Sequence, residues 1–201
     1  MSDSTTNTLY PVFMKLDRLR LLIVGGGQVA IEKLHFLLKS SPDANVTLMA
    51  PEIHQDIIEL FTKTEYHISL IKRPFDSSVL RNYDLVIAAT NIAELNKSIH
   101  TAAKSHKIIV NVADTPDLCD FYMGSIVTRG NLKVAISTNG TSPTFAKRFR
   151  QWLEQNLPEE VEELLPNLKK IRDNLQFEFA EKVTYLNEVT KSLITKEESE
   201  S

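Results

Sequence analysis

An aspartate stands directly behind a β-branched apolar run in residues 108–120, IIVNVADTPDLCD. Ile108, Ile109 and Val110 read as a buried strand, Asn111-Val112-Ala113 continue it, and Asp114 falls just past its end. In open α/β sheets, ligands collect in the crevice outside the carboxyl ends of the strands. Asp114 is therefore the candidate catalytic carboxylate, and Asn111 beside it a candidate substrate contact. The competing reading makes Asp114 a turn residue ahead of Thr115-Pro116.

A second constellation lies upstream. Gly25-Gly26-Gly27-Gln28-Val29-Ala30 fits G-x-G-x-x-A directly behind an apolar run and at the opening of a helical pattern. That is the context a dinucleotide fingerprint requires. Gly25 permits the tight turn, Gly27 lets backbone amides approach a pyrophosphate, and Ala30 allows close helix–strand packing. The free amides of the helix start add partial positive charge. A carboxylate at the end of the next strand should then meet the adenosine ribose, and Pro51-Glu52 occupies that place. Without an arginine at this turn to hold a 2′-phosphate, the expectation is NAD over NADP. A first-turn helix charge explains Glu52 almost as well. Thr90-Asn91 falls at the next crevice position, although Asn91 would also serve as an N-cap.

Ser137-Thr138-Asn139-Gly140-Thr141-Ser142-Pro143 joins a strand to a helix whose early turns carry Lys147, Arg148 and Arg150. The hydroxyls of Thr138 and Ser142, the Asn139-Gly140 turn and the free amides make an anion-binding edge. It suits a substrate bearing several carboxylates, and a solvated helix face is the alternative. The histidines, His35, His54, His67, His100 and His106, show no metal-ligand spacing and are expected on surfaces. Cys119, the single cysteine, excludes an internal disulfide and reads as a small buried residue.

These residues need a scaffold, and the pattern supplies one. Short apolar runs at 19–24, 46–50, 68–72, 85–89 and 108–112 alternate with helical spacing at 29–38, 53–62 and 92–105. That alternation indicates βαβ units and a Rossmann-type parallel sheet, an α/β fold. Residues 124–127 and 132–137 then read as a hairpin joined by Thr128-Arg129-Gly130-Asn131, with open edges that a partner subunit could cover. Ser142-Pro143 opens a helix. Pro158 and Pro166 are each expected to start or break one. Leu164, Leu165, Leu168, Ile171 and Leu175 mark one apolar stripe, and Val183, Leu186, Val189 and Leu193 another. The implied division is 1–113 for nucleotide binding, 114–142 for dimerisation and 143–201 for a helical unit.

Composition agrees. With 201 residues and a net charge of -3, the chain suits one large domain or a domain with an appendage, and not a nucleic-acid protein. From Pro158 onward eleven Asp/Glu stand against six Lys/Arg, while fifteen stand against seventeen before it. The body is thus slightly basic and the tail acidic, as for a separate C-terminal unit. No apolar run reaches the roughly 20 residues of a membrane span, and the N-terminus lacks the features of a signal peptide. The cytoplasm is the expected compartment.

LYPVFMKLDRLRLLIVGGGQVAIEK, AATN, NVADTPDLCDFYMGSIV and STNGTSP together resemble the precorrin-2 dehydrogenase/sirohydrochlorin ferrochelatase family of sirohaem synthesis. The resemblance runs in order from about Tyr10 to Arg150. It implies NAD-dependent oxidation of a tetrapyrrole, precorrin-2, to sirohydrochlorin by a homodimer whose hairpin region makes the subunit contact. It implies that Gln28, Val29, Pro51 and Glu52 bind NAD and that Asp114 is catalytic. Thr138 matches a serine phosphorylated in some relatives. Some relatives also insert iron into sirohydrochlorin; here dehydrogenation alone is the expectation, without an appended methyltransferase. A nucleotide-sensing module without catalysis would explain the glycine loop but leave Asp114 and the STNGTSP segment without a purpose.

Overall fold

A computed structural model describes residues 6–63 and 65–191. Five strands, β1 (Arg20–Val24), β2 (Asn45–Ala50), β3 (Ile68–Lys72), β4 (Leu85–Ala88) and β5 (Ile109–Val112), form one parallel sheet in the order β3-β2-β1-β4-β5. Between them run α1 (Gln28–Ser40), α2 (Gln55–Thr62) and α3 (Ala93–Ser105), with a 3-10 turn at Ser77–Asn82 linking β3 to β4. The order reverses at β1/β4, the switch point where doubly wound sheets open a crevice for ligand.

The strands are apolar on both faces because both are covered. Leu21, Ile23, Val46, Leu48, Leu85 and Ile87 pack with Ala30, Ile31, Leu34 and Leu38 of α1 and Ile57 of α2. Leu22, Val24, Met49, Val86, Ala88, Val110 and Val112 pack with Ile99 and Ala103 of α3 and Leu80 of the 3-10 turn. At the amino ends of β1 and β4, the Arg20 guanidinium grips Asp84 at 2.9 and 3.1 Å, while Asp84 also accepts the Arg20 amide at 2.9 Å. These bonds hold the Asp84 carboxyl below its ordinary range.

β5 is an edge strand, and the chain folds back to cover that edge. The Asp120 amide donates to Val110 O at 2.8 Å, and its carboxylate accepts from the Val110 amide at 3.0 Å and Lys104 Nζ at 2.7 Å. One residue earlier, Cys119 Sγ accepts from the Val112 amide and donates to Val112 O, at 3.3 and 3.2 Å. The buried Asn111 amide donates to Phe121 O at 2.8 Å. Residues 119–121 thereby satisfy backbone groups that an open edge would leave free.

The chain divides into two compact units, one running through Gly124 and including Ser137–Pro143, the other comprising Ser125–Ile136 and the chain from Thr144. In the second, β6 (Ser125–Arg129) and β7 (Leu132–Ile136) pair antiparallel. Their turn is the two residues Gly130-Asn131, with Gly130 at φ 52°. The four-residue connection read from sequence is too long, because Thr128 and Arg129 pair with Lys133 and Leu132. Helices α4 (Pro143–Asn156), α5 (Val161–Asn174) and α6 (Phe179–Val189) follow. Pro158 lies between α4 and α5, whereas Pro166 corrects the expectation: it sits inside α5 without ending it. It is early in the helix, so one backbone bond is forgone while Leu164, Leu165 and Leu168 keep the half-buried side intact. Phe145, Phe149 and Trp152 stack along α4 with ring centroids 5.9 and 5.8 Å apart, and all three are exposed. Leu193 of the last stripe lies outside the described residues.

The Asp120 tie makes a testable statement. Burial pushes its carboxyl up, but Lys104 and the Val110 amide outweigh burial and leave it below the ordinary value. A depressed folded-state pKa stabilises the protein above the unfolded carboxyl pKa of about 3.9, and that stability is lost as pH falls through the folded value. Asp120→Asn is expected to cost about 1–2 kcal/mol at neutral pH. The gap from wild type should close in thermal unfolding below about pH 3.

Candidate functional site

Three loops at the carboxyl ends of β1, β2 and β4 enclose a cleft of about 830 Å³. Gly25, Gly27, Gln28 and Val29 line it from the first loop, Pro51 and Glu52 from the second, Thr90 and Asn91 from the third. All eight residues read as nucleotide contacts from the sequence thus border one space. Phe75, Ile92 and Leu95 add apolar wall.

The glycines differ in what they do. Gly25 has φ 136°, and a Cβ there would lie 2.2 Å from Ala89 O. Gly26, which the fingerprint leaves unspecified, is as constrained: a Cβ would lie 2.1 Å from Glu52 O and 2.8 Å from the Ala50 Cβ. The Gly26 carbonyl also accepts the His54 amide at 2.8 Å. Sequence reasoning missed this residue, and the signal was a third glycine where the motif demands only two. Gly27 is the opposite case, because a Cβ there meets no protein atom within 4 Å. Its missing side chain keeps the mouth of α1 open toward the cleft. No side chain caps α1, and its first turn carries no acidic residue. Uncapped amides and an uncancelled dipole beside open space fit a pyrophosphate.

The other loops are fixed from within. Asn96, buried on α3, accepts Thr90 Oγ1 at 2.6 Å and the Thr90 amide at 3.2 Å, and donates to Thr90 O at 3.0 Å. Thr90 Oγ1 in turn accepts the Ile92 amide at 3.2 Å. Thr90, not Asn91, therefore serves the start of α3, and Asn91 stays exposed in the cleft wall. Glu52 is exposed and precedes α2 by three residues, which removes its first-turn reading; Asp56 holds that position. His54, expected on an ordinary surface, lines the cleft.

Asp114 sits at the carboxyl end of β5, exposed, with φ 56°, in a turn closed by the Thr115 amide donating to Val112 O at 3.3 Å. Positive φ is uncommon outside glycine but tolerated by Asp. The Ala113 amide, donating to Ala88 O at 2.9 Å, ties this turn to β4. Asp114 is not among the residues lining the cleft. Asn111 points inward, its amide nitrogen holding Phe121 and its Oδ1 without a partner. Burial pushes the Cys119 thiol up, against the opposing pull of the Val112 amide and Lys33, and its Sγ is engaged with the Val112 backbone.

The 137–142 loop is a tight turn with Asn139 at φ 52° and Gly140 at φ 77°. Thr138 Oγ1 accepts the Ser142 amide at 3.2 Å, and the Asn139 amide donates to Ser137 Oγ at 3.2 Å. This loop belongs to the first unit and the cations of α4 to the second. Lys147 and Arg148 are exposed, whereas Arg150 is paired with Glu154 one turn on.

Fold and cleft together define an α/β protein that binds a dinucleotide. The chain matches the family described as "Putative NAD(P)-binding" over residues 12–125 and that described as "Sirohaem biosynthesis protein central" over residues 129–156. It belongs to the first of these, the family described as putative NAD(P)-binding. A siroheme synthase of Pseudoalteromonas translucida is 42% identical over 151 residues, covering 75% of this chain and 31% of that protein. One of Vesicomyosocius okutanii is 36% identical over 170 residues, covering 85% and 36%. The chain thus spans about a third of the length of these curated relatives. A solved structure, SirC, a precorrin-2 dehydrogenase, superposes with a TM-score of 0.70 at 26% identity, covering 90% of this chain and 89% of that one. Among the described residues no helix is long and apolar enough to cross a membrane.

The glycine geometry separates folding from binding. Gly27→Ala, whose methyl meets no protein atom, should lower the melting temperature less than Gly26→Ala does, by the loss of a favoured N-cap residue alone, and weaken NADH binding by about tenfold or more. Gly26→Ala should instead destabilise by about 1–3 kcal/mol, since Glu52 O must retreat. Calorimetric melting and NADH titration of the two variants distinguish these outcomes.

Proposed function

We propose that this chain is an NAD-dependent dehydrogenase that oxidises precorrin-2 to sirohydrochlorin in the cytoplasm, acting as a homodimer. The observation carrying this reading is a dinucleotide cleft in the same unit as an exposed carboxylate fixed at the carboxyl end of β5. The precorrin-2 dehydrogenase among the similar structures supports the substrate, and the sirohaem match over residues 129–156 supports the pathway. A free-standing sensor would need no such carboxylate.

NAD, when bound, supplies the hydride acceptor. The α1 amides at Gln28 and Val29 hold the pyrophosphate, Glu52 accepts from the adenosine 2′-hydroxyl, and Thr90 and Asn91 bound the far wall. Oxidation removes a hydride and a proton from the macrocycle, and Asp114 takes the proton. Its positive-φ turn, anchored through Ala113 to β4, fixes the backbone from which the exposed carboxylate projects. We assign the hydroxyls of Thr138 and Ser142 and the side-chain amide of Asn139 in the first unit to substrate carboxylates, the loop's own amides at Asn139 and Ser142 being bonded within the turn. In the second unit we assign the same role to the exposed Lys147 and Arg148. Arg150 contributes less, because Glu154 already neutralises it. Asn111 acts by fixing the segment that follows Asp114. We assign residues 1–113 to cofactor binding, 114–142 to dimerisation and 143–201 to the helical unit.

Asp114→Asn should lower kcat by roughly 10²–10⁴-fold while leaving the NADH dissociation constant within about twofold of wild type. A variant with the wild-type rate removes the base role. The unpaired edges of the β6–β7 ribbon and the exposed rings of Phe145, Phe149 and Trp152 support the dimer. Light scattering should return twice the 22.8 kDa chain mass, and Phe149→Asp should shift the population toward monomer.

A further inference from the structure

His54 does three things at the β2–α2 loop. Its backbone amide donates to Gly26 O at 2.8 Å, its Nδ1 accepts the Asp56 amide at 3.2 Å at the start of α2, and its ring lines the nucleotide cleft. A neutral imidazole has one donor and one acceptor nitrogen. With Nδ1 engaged as acceptor, the ring proton resides on Nε2, so a donor remains on a side chain that is 49% exposed. Asp56 Oδ1, 3.5 Å from Nδ1, flanks the same edge of the ring. Among the described residues lining the cleft, Glu52 and His54 are the only ionisable ones.

We propose that His54 is a specificity-determining residue of the cofactor site, donating from Nε2 to the 3′-oxygen of the adenosine ribose while Glu52 accepts from the 2′-hydroxyl. A vicinal diol both donates and accepts, and a carboxylate beside an imidazole N–H answers both needs. Glu52 alone could only accept. A 2′-phosphate would set an anion against Glu52 and lose the hydrogen that Glu52 takes. The inference rests on the dinucleotide reading of the cleft and names the group that completes its ribose end.

The test must separate this role from helix capping. Asparagine is a favoured N-cap residue and keeps an acceptor for the Asp56 amide, but its remaining N–H sits on a shorter side chain that does not reach where Nε2 does. His54→Asn should therefore melt like wild type and bind NADH and ADP-ribose about three- to tenfold more weakly. His54→Ala should lose the same affinity and also melt lower. Toward 3′-deoxyadenosine analogues of ADP-ribose, wild type and His54→Asn should bind alike. Wild-type affinity in His54→Asn, or an affinity gap that persists with the 3′-deoxy ligand, overturns the proposal and leaves His54 a helix cap. Wild-type protein that binds neither NADH nor ADP-ribose overturns the cofactor reading itself, and this inference with it. His54→Gln provides a second acceptor-bearing variant should the asparagine protein melt lower.

Discussion

The architecture depends on one close approach. At Gly25 and Gly26 three backbone segments, from the ends of β1, β2 and β4, come so near that no Cβ fits: Ala89 O stands 2.2 Å from where Gly25 would carry one, and Glu52 O 2.1 Å from where Gly26 would. Because these carbonyls are tied to strands in a fully packed sheet, the loops cannot drift apart. The cleft takes its shape from that constraint, and so does the uncapped mouth of α1 at Gly27. A protein interior transmits strain because it is close-packed, so a methyl group at Gly26 is felt across the whole nucleotide site.

A second constraint governs the other end of the sheet. β5 is an edge strand, and residues 119–121 cover it through Asp120, Cys119 and the inward amide of Asn111. That cover fixes the turn carrying Asp114 from both sides, through Ala113 on β4 and through the returning chain. The same segment thus protects an edge from unwanted pairing and positions the Asp114 turn.

Much of the fold was legible because the strands are short continuous apolar runs, and a buried parallel sheet needs them on both faces. Five strands and three helices of the first unit follow from that rhythm, with ends shifted by a residue or two. Pro166 misled because a proline read one residue at a time signals a break, whereas an apolar face on both sides carries the helix through it. The hairpin turn came out two residues shorter because Thr128 and Arg129 extend the ladder. At the site, the predicted nucleotide contacts meet in one cleft because each follows a strand end, a position that pattern alone reveals. The contact that joins Gly26 to His54 was invisible in the sequence, and so was the bracing of Thr90 by Asn96. The first joins loops remote in sequence, which no local spacing records, and the second depends on which way a polar helix residue turns. The role of Asn111 as an inward brace was likewise hidden, since a polar residue at the end of a strand reads as a contact for solvent or ligand.

The central claim is that cleft and carboxylate belong to one oxidation. It is tested most directly by incubating the wild-type protein anaerobically with precorrin-2 and NAD, and recording NADH and sirohydrochlorin together. The account predicts that both appear in equal amounts and only when protein, precorrin-2 and NAD are all present. Tight NAD binding with neither NADH nor sirohydrochlorin formed would contradict it.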